Sequence, residues 1–261
     1  RNKKSEVFMR TKRIDEIELY IKEKKSVSLD TLCEQFQVSK NTIRRDIAAL
    51  EKTGKIKKVY GGVTIADRAS SKTLIPFSER HQQFMKEKRA ICHLASTHIQ
   101  DGDTIFIDSG TTCHSIIDFI SNKTCTIITN SLQVSLKALP YENLTVISLP
   151  GFLKRETLSF VDSEIADYVK SYNIGKAFMS CTGISIQSGL TNASQEEYLV
   201  KKAVVENSIY RYILADHSKF GSFSLMTYCP LEDASYILTD QLPEQEFLDF
   251  CQNNTIEIET I

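Results

Sequence analysis

Apolar residues return every three to four positions over residues 11–25, at Ile14, Ile17 and Ile21 with Leu19 and Tyr20 widening the stripe. This period predicts an amphipathic helix. Val27-Ser28-Leu29-Asp30 follows, then a shorter helix carrying Leu32, Cys33 and Phe36, which ends at Val38-Ser39. The Ser39 hydroxyl can cap a third helix over 40–52, in which Ile43, Ile47 and Leu50 share one face. Gly54 stops that helix, and residues 55–65 alternate apolar and polar around Gly61-Gly62, the pattern of a small β-hairpin. Three helices followed by a hairpin describe a winged helix-turn-helix.

Periodicity lapses over 66–80, where Ala66, Ala69, Ser70 and Ser71 precede Pro76-Phe77, so this stretch reads as a linker. A helix over 82–99 comes next. Short apolar runs at 104–107, 126–129, 144–149, 176–179, 209–215 and 236–238 then read as strands, with helical segments at 113–121, 131–139, 163–171, 194–207 and 244–252. Alternating strands and helices predict an α/β domain built on a mostly parallel sheet covered on both faces. The chain thus divides into a winged helix at 9–65, a linker at 66–80 and a larger α/β domain at 81–261.

Charge separates the two domains. The formal net charge of −1 over 261 residues hides a split: residues 1–65 hold 16 Lys and Arg against 9 Asp and Glu, and the remainder holds 16 against 24. A basic head on an acidic body calls for an anionic partner at the head alone. Ten Gly and five Pro are too few for a low-complexity chain. No run approaches the roughly 18 uninterrupted apolar residues that a bilayer span needs, so no membrane partner is expected. Arg1-Asn2-Lys3-Lys4 is followed by no apolar h-region, which speaks against a secretory signal and for a cytoplasmic protein. Residues 1–8 precede Met9 and are left out of the fold reading. The seven cysteines form no C-x-x-C pair and read as reduced core thiols.

Double-stranded DNA is the partner that the head's chemistry fits. Asn41, Arg44 and Arg45 lie on the polar side of the third helix, where short polar and bidentate groups reach base edges in the major groove. Ser39, Lys40 and Thr42 are placed for phosphates, and Lys57, Lys58 and Tyr60 of the wing for the backbone or minor groove. In the body, Asp108-Ser109-Gly110-Thr111-Thr112 stands between a strand and a helix and offers hydroxyls and amides to a phosphate. Thr129 and Asn130, and Asp216 with Lys219, occupy further strand ends, where a carboxylate would take sugar hydroxyls and an ammonium a phosphate. Gly183 begins a loop, and Glu197 and Lys201 stand one helical turn apart, as a surface ion pair or as site residues. A sugar-phosphate isomerase or lyase with a DNA-binding head is the rival reading, with Asp108, Glu197, Lys201 and Asp216 as proton carriers. No base, acid and metal set is visible: His81, His93, His98, His114 and His217 form no metal-spaced pair, so no enzyme, metal or cofactor is expected.

Arg13, the isoleucines at 17 and 21, Ser39 to Ile47 and the wing stretch Lys58-Val59-Tyr60-Gly61-Gly62 together resemble the helix-turn-helix of DeoR-type bacterial transcriptional regulators. The body resembles the same family's effector domain, which is related to ribose-5-phosphate isomerases. Asp108 to Thr112, Thr129-Asn130, Gly183, Gly189-Leu190-Thr191, Lys201, Asp216 and Ser218-Lys219-Phe220 fall in the family's order. Pro150-Gly151, Asp162 and Thr182 depart from it. The resemblance implies a homo-oligomeric repressor, dimer or tetramer, of a carbohydrate operon. A phosphorylated sugar at Asp108, Ser109, Gly110, Thr111, Thr112, Thr129, Asn130, Gly183, Lys201, Asp216 and Lys219 would release its DNA. Val38-Ser39-Lys40-Asn41-Thr42 looks most like the family's repressors of inositol catabolism.

Overall fold

A computed structural model of the chain describes residues 13–14, 16–21, 24, 26–51, 56–59, 62–65 and 76–261. It divides into two compact units, Arg1–Ser70 and Ser71–Ile261. In the first unit, residues 13–14 and 16–21 are helical (α1), followed by β1 (Ser26–Ser28), α2 (Leu29–Phe36), α3 (Lys40–Glu51), β2 (Ile56–Val59) and β3 (Gly62–Ile65). The Ser28 hydroxyl accepts the Thr31 amide at 3.0 Å and starts α2, while Gln37, at φ 49°, ends it in the left-handed region. The expected stripe is the core: Ile17, Ile21, Leu32, Ile43, Ile47, Leu50, Ile56 and Val63 bury together. The expected hairpin forms, β2 antiparallel to β3, and β1 adds to it as a third strand in the order β1-β3-β2. Val27 is the one apolar side chain of β1 that the core receives, too little alternation for a strand to be read. Gly54, Tyr60 and Gly61 lie outside the described residues, as do the side chains of Lys57 and Lys58.

The second unit opens with α4 (Phe77–Gln82) and α5 (Met85–Thr97), then runs β4 (Thr104–Ile107), β5 (Cys125–Thr129), α6 (Leu132–Ala138), β6 (Leu144–Ser148), β7 (Phe152–Lys154), β8 (Ser159–Val161), α7 (Ile165–Lys170), β9 (Ile174–Ser180), β10 (Gly183–Ser185), β11 (Gly189–Asn192), α8 (Gln195–Glu206), β12 (Ser208–Leu214), β13 (Met226–Cys229), β14 (Tyr236–Thr239), α9 (Gln245–Asn253) and β15 (Glu257–Thr260). Seven strands form one wholly parallel sheet in the order β15-β14-β12-β9-β4-β5-β6. Strand side chains alternate between two cores. Ile105, Ile107, Ile127, Phe178 and Leu214 face α5 and α6; Phe106, Ile128, Ala177, Met179 and Ile213 face α7, α8 and α9. Phe178, Tyr212 and Tyr236 stack across three neighbouring strands at centroid distances of 5.0 and 4.6 Å.

Four local features differ from the pattern reading. The helix expected at 113–121 is a 3-10 helix, His114–Phe119, whose tighter turn follows directly from the Gly110 turn. Residues 77–80, in the aperiodic stretch, are helical because Phe77 buries against His114 with centroids 5.6 Å apart. The supposed loop at Gly183 is a strand: β10, β11 and β13 form a small antiparallel sheet. A single helix over 82–99 becomes two, broken at Phe84, whose φ is 52°. All seven cysteines are free thiols, and among the described residues no helix is long and apolar enough to cross a membrane.

Because Phe178 is fully buried and stacked on Tyr212, Phe178→Ala should lower the unfolding free energy of this unit by about 3–5 kcal/mol. Urea unfolding of the full chain followed by far-UV circular dichroism measures it, and an unchanged midpoint would deny that the stack supports the sheet.

Candidate functional site

Strand order reverses between β4 and β9: the chain runs outward through β5 and β6, returns to pair β9 with β4, and then builds the other half. The carboxyl ends of two strands that part in this way leave a crevice. Asp108 follows β4 and Ser180 ends β9, and both stand at that point. One oxygen of Asp108, Oδ2, accepts four hydrogen bonds: from Lys201 Nζ at 2.6 Å, from the amides of Gly110 and Ser180 at 3.2 Å each, and from the Ser180 hydroxyl. Lys201 also donates to the Ser180 carbonyl at 2.8 Å and lies 5.2 Å from the centre of the Tyr228 ring. Burial by itself would push the Asp108 carboxyl up; Lys201 and the Ser180 donors outweigh it and hold the group below the usual carboxylate range.

The turn at 109–112 is shaped by this carboxylate. A Cβ on Gly110 would fall 1.7 Å from the Ser180 hydroxyl oxygen, so only glycine brings its amide to Asp108 without dislodging Ser180. Among the described residues, the amides of Ser109, Thr111 and Thr112 have no acceptor, although all three residues are buried. Unsatisfied amides gathered in one turn offer donors to an anion.

Around the turn stand charges that sequence reasoning assigned only in part. Lys201, read as a surface ion-pair partner of Glu197 or as an anion ligand, points inward to Asp108, so its charge is neutralised. The Glu197 carboxyl is pushed up by burial against the pull of Lys201 and Arg80. Lys219, partly exposed, makes no side-chain hydrogen bond. Lys88, on α5, was missed. It is 5% exposed, with Nζ 3.2 Å from Thr111 Oγ1 and 2.7 Å from the Arg80 carbonyl. Burial lowers its pKa to about 8, with Asp216 opposing and Lys219 and Arg80 adding to the shift. A sequence signal existed: Lys88 falls in phase with Ile91, Cys92, Ala95 and Ile99, so a lysine sits on the buried stripe.

Acceptors complete the surroundings. Asp216 Oδ1 receives the Ser218 amide and hydroxyl, while Oδ2 is buried without a partner. Asn130 Oδ1 and Asn192 Oδ1 are likewise buried and unpartnered. The Thr129 hydroxyl donates to the Ile107 carbonyl at 2.6 Å and accepts the Ser131 amide at 3.0 Å, so it ties β5 to β4. Gly183 is needed because a Cβ there would lie 2.5 Å from the Ser222 carbonyl, within the loop that carries Lys219. Beside the turn, a cavity of about 450 Å³ is lined by Lys88 and Thr111 together with Phe77, His81 and His114. Burial first, then Lys137 and His81, push the His114 pKa down to about 4. Among the described residues no group of three or more His, Cys, Asp or Glu side chains could hold a metal.

In the first unit, α3 turns Ile43, Ile47 and Leu50 into the core and leaves Lys40, Asn41, Arg44 and Arg45 exposed. The Ser39 hydroxyl accepts the Thr42 amide at 3.3 Å, as a cap does. Asp46, nearly fully buried, pairs with Arg13 Nε at 2.8 Å and thereby anchors α3 to α1.

Residues 13–69 match the DeoR-like helix-turn-helix domain and residues 83–241 the DeoR C terminal sensor domain. The HTH-type transcriptional regulator IolR of Bacillus subtilis is 45% identical over 96% of this chain and 99% of its own length. The HTH-type transcriptional repressor GlcR of the same organism is 31% identical, covering 92% of each chain. The lactose phosphotransferase system repressor of Staphylococcus epidermidis is 32% identical over 87% of this chain and 91% of its own. Among solved structures, ribose 5-phosphate isomerase from Plasmodium falciparum is similar at a TM-score of 0.38 with 19% identity, covering 52% of each chain.

Lys201→Met would leave the Asp108 carboxylate buried without its counter-ion, at an expected loss of about 3–5 kcal/mol, and adding Asp108→Asn should recover much of it. Because the folded carboxyl is depressed, its stabilisation is present above the ordinary carboxylate pKa and fades as pH falls through the folded value. The wild type should therefore lose this contribution on acidification, and the deficit of Lys201→Met should shrink as pH falls, because burial without the lysine favours the protonated carboxyl. Equal losses in the single and double variants would show that the pair is not coupled.

Proposed function

The chain belongs to the DeoR family of transcriptional regulators, and on that premise we propose that it is a repressor whose first unit binds operator DNA and whose second unit senses a phosphorylated sugar. The observation that carries the sensor reading is the pairing of unsatisfied groups at the sheet's switch point. Free amides at 109, 111 and 112 with the ammonium groups of Lys88 and Lys219 suit a phosphate, and buried unpartnered oxygens of Asp216 and Asn130 suit hydroxyl donors. A sugar phosphate carries both kinds of group. A catalyst fits less well, because the carboxylate at the centre accepts four hydrogen bonds on one oxygen and is held ionised.

The exposed edge of α3 would enter the major groove, Asn41, Arg44 and Arg45 reading bases while Ser39, Lys40 and Thr42 meet phosphates. Lys57, Lys58 and Tyr60 would follow the backbone. A symmetric dimer or tetramer would present paired heads to half-sites about 34 Å apart or multiples of that. The effector acts by linkage: it binds the arrangement with lower DNA affinity better, and DNA disfavours that arrangement in return. Such a regulator works in the compartment that holds the DNA, the cytoplasm, and the resemblance of Val38–Thr42 points to an inositol-catabolism operon as its target.

Arg44→Ala and Arg45→Ala should each weaken operator binding by about 1–3 kcal/mol where the arginine makes a bidentate base contact. Electrophoretic mobility shifts read this, and wild-type binding by both variants would remove α3 from the groove. Lys219→Met should bind operator normally while no longer raising its melting temperature or releasing DNA when a panel of phosphorylated sugars is added. A Lys219→Met protein that still responds to the same sugar as the wild type would sink the sensor assignment.

A further inference from the structure

Lys88 joins the Thr111 hydroxyl in the anion turn to the Arg80 carbonyl in α4, beside the ring contacts of Phe77 and His81 with His114. The same carbonyl accepts the Gln83 amide at 3.3 Å, so the ammonium closes the carboxyl end of α4. α4 has six residues, far below the length at which a helix stands alone, and depends on external anchors. At its amino end, Phe77 is buried and its amide donates to the Glu156 carbonyl at 2.7 Å; at its carboxyl end there is Lys88. Phe77 and His81 of α4 also line the cavity that Lys88 and Thr111 line.

An ammonium has three N–H groups, and two are used here. Its surroundings are poor in negative charge: burial, Lys219 and Arg80 all press Lys88 toward the neutral amine, and Asp216 alone opposes them. A phosphate on the free amides of Ser109, Thr111 and Thr112 would supply the missing charge and take the third N–H. The ammonium, already charged at neutral pH, is then held between phosphate, the Arg80 carbonyl and Thr111 by three charge-assisted hydrogen bonds.

We propose that an anion bound at the Asp108–Thr112 turn clamps α4 through Lys88, so that occupancy of the turn sets the order of α4. The inference rests on the anion-binding reading above, and its test separates the two.

Hydrogen–deuterium exchange of the full chain, with inorganic phosphate against sodium chloride of equal ionic strength, reads both regions at once. In the wild type, phosphate should slow exchange at 109–112 and also, by roughly five-fold or more, at Arg80–Gln83. In Lys88→Met, the α4 amides should exchange faster without phosphate and gain no protection with it, and Lys88→Arg should restore the response. Protection at 109–112 with α4 unchanged or faster in the wild type overturns the clamp and leaves the anion site standing. Protection at neither place overturns both. The wild-type and Lys88→Arg arms decide the matter even if Lys88→Met does not fold.

Discussion

One carboxylate oxygen organises the second unit. Asp108 Oδ2 collects donors from α8, from the end of β9 and from its own turn, and so fixes three segments that are remote in sequence at the point where the sheet changes direction. An ionised carboxylate buried to this degree is costly by several kcal/mol unless it is paired and saturated with hydrogen bonds. The surrounding residues are therefore constrained by it. Gly110 must lack a Cβ, Ser180 must be small and polar, and position 201 must hold a cation at that height on α8. With its side chain locked, Asp108 leaves the backbone of the turn as the surface presented to a ligand.

That arrangement redistributes the cations of an acidic body. Lys201 is committed to Asp108, Arg89 and Lys137 share Asp118, Lys154 meets Glu196, and Lys176 meets Asp103. Lys88 reaches the turn through Thr111 without a carboxylate partner, and Lys219 lies near enough to Lys88 to lower its pKa. A local excess of positive charge inside a net-negative domain attracts a small anion while the outer surface still repels a polyanion such as DNA. The two units can thus recognise phosphate in two forms without competing for the same ligand.

Six strands of the seven-strand sheet were legible because they form apolar runs, while the edge strand β15, Glu-Ile-Glu-Thr, was not; the helix-turn-helix was legible because Ser39, Ile43 and Ile47 carry cap and face in one short stretch. β1, β7, β8, β10, β11 and β13 were not legible either, since strands of three or four residues depend on the partner they pair with and not on their own pattern. At the site, Asp108 to Thr112 could be found because Gly and hydroxyls at a strand end suit phosphate. The direction of Lys201 could not: its helix offers Glu197 one turn away, and the partner it takes is 93 residues distant. Lys88 was overlooked for the opposite reason, since a lysine near acidic and basic neighbours on α5 reads as solvated unless its phase with the buried stripe is noticed.

A sensor must contain a part that ligand can move, and the Asp108 cluster is poorly suited to be that part. Breaking it exposes a buried charge, so any two states that interconvert with a difference of a few kcal/mol share it intact. The freedom has to lie in groups held by fewer contacts around the same turn. Lys219 has no side-chain hydrogen bond, the loop that bears it turns at Gly221 with φ 68°, and six-residue α4 is held through Phe77, His81 and Lys88. A ligand bridging these groups to the fixed amides of 109–112 gains contacts in the ordered state that it lacks in the other. That difference in affinity is the whole of the free energy available to alter DNA binding. A rigid cradle with mobile walls therefore follows from where the charge is buried.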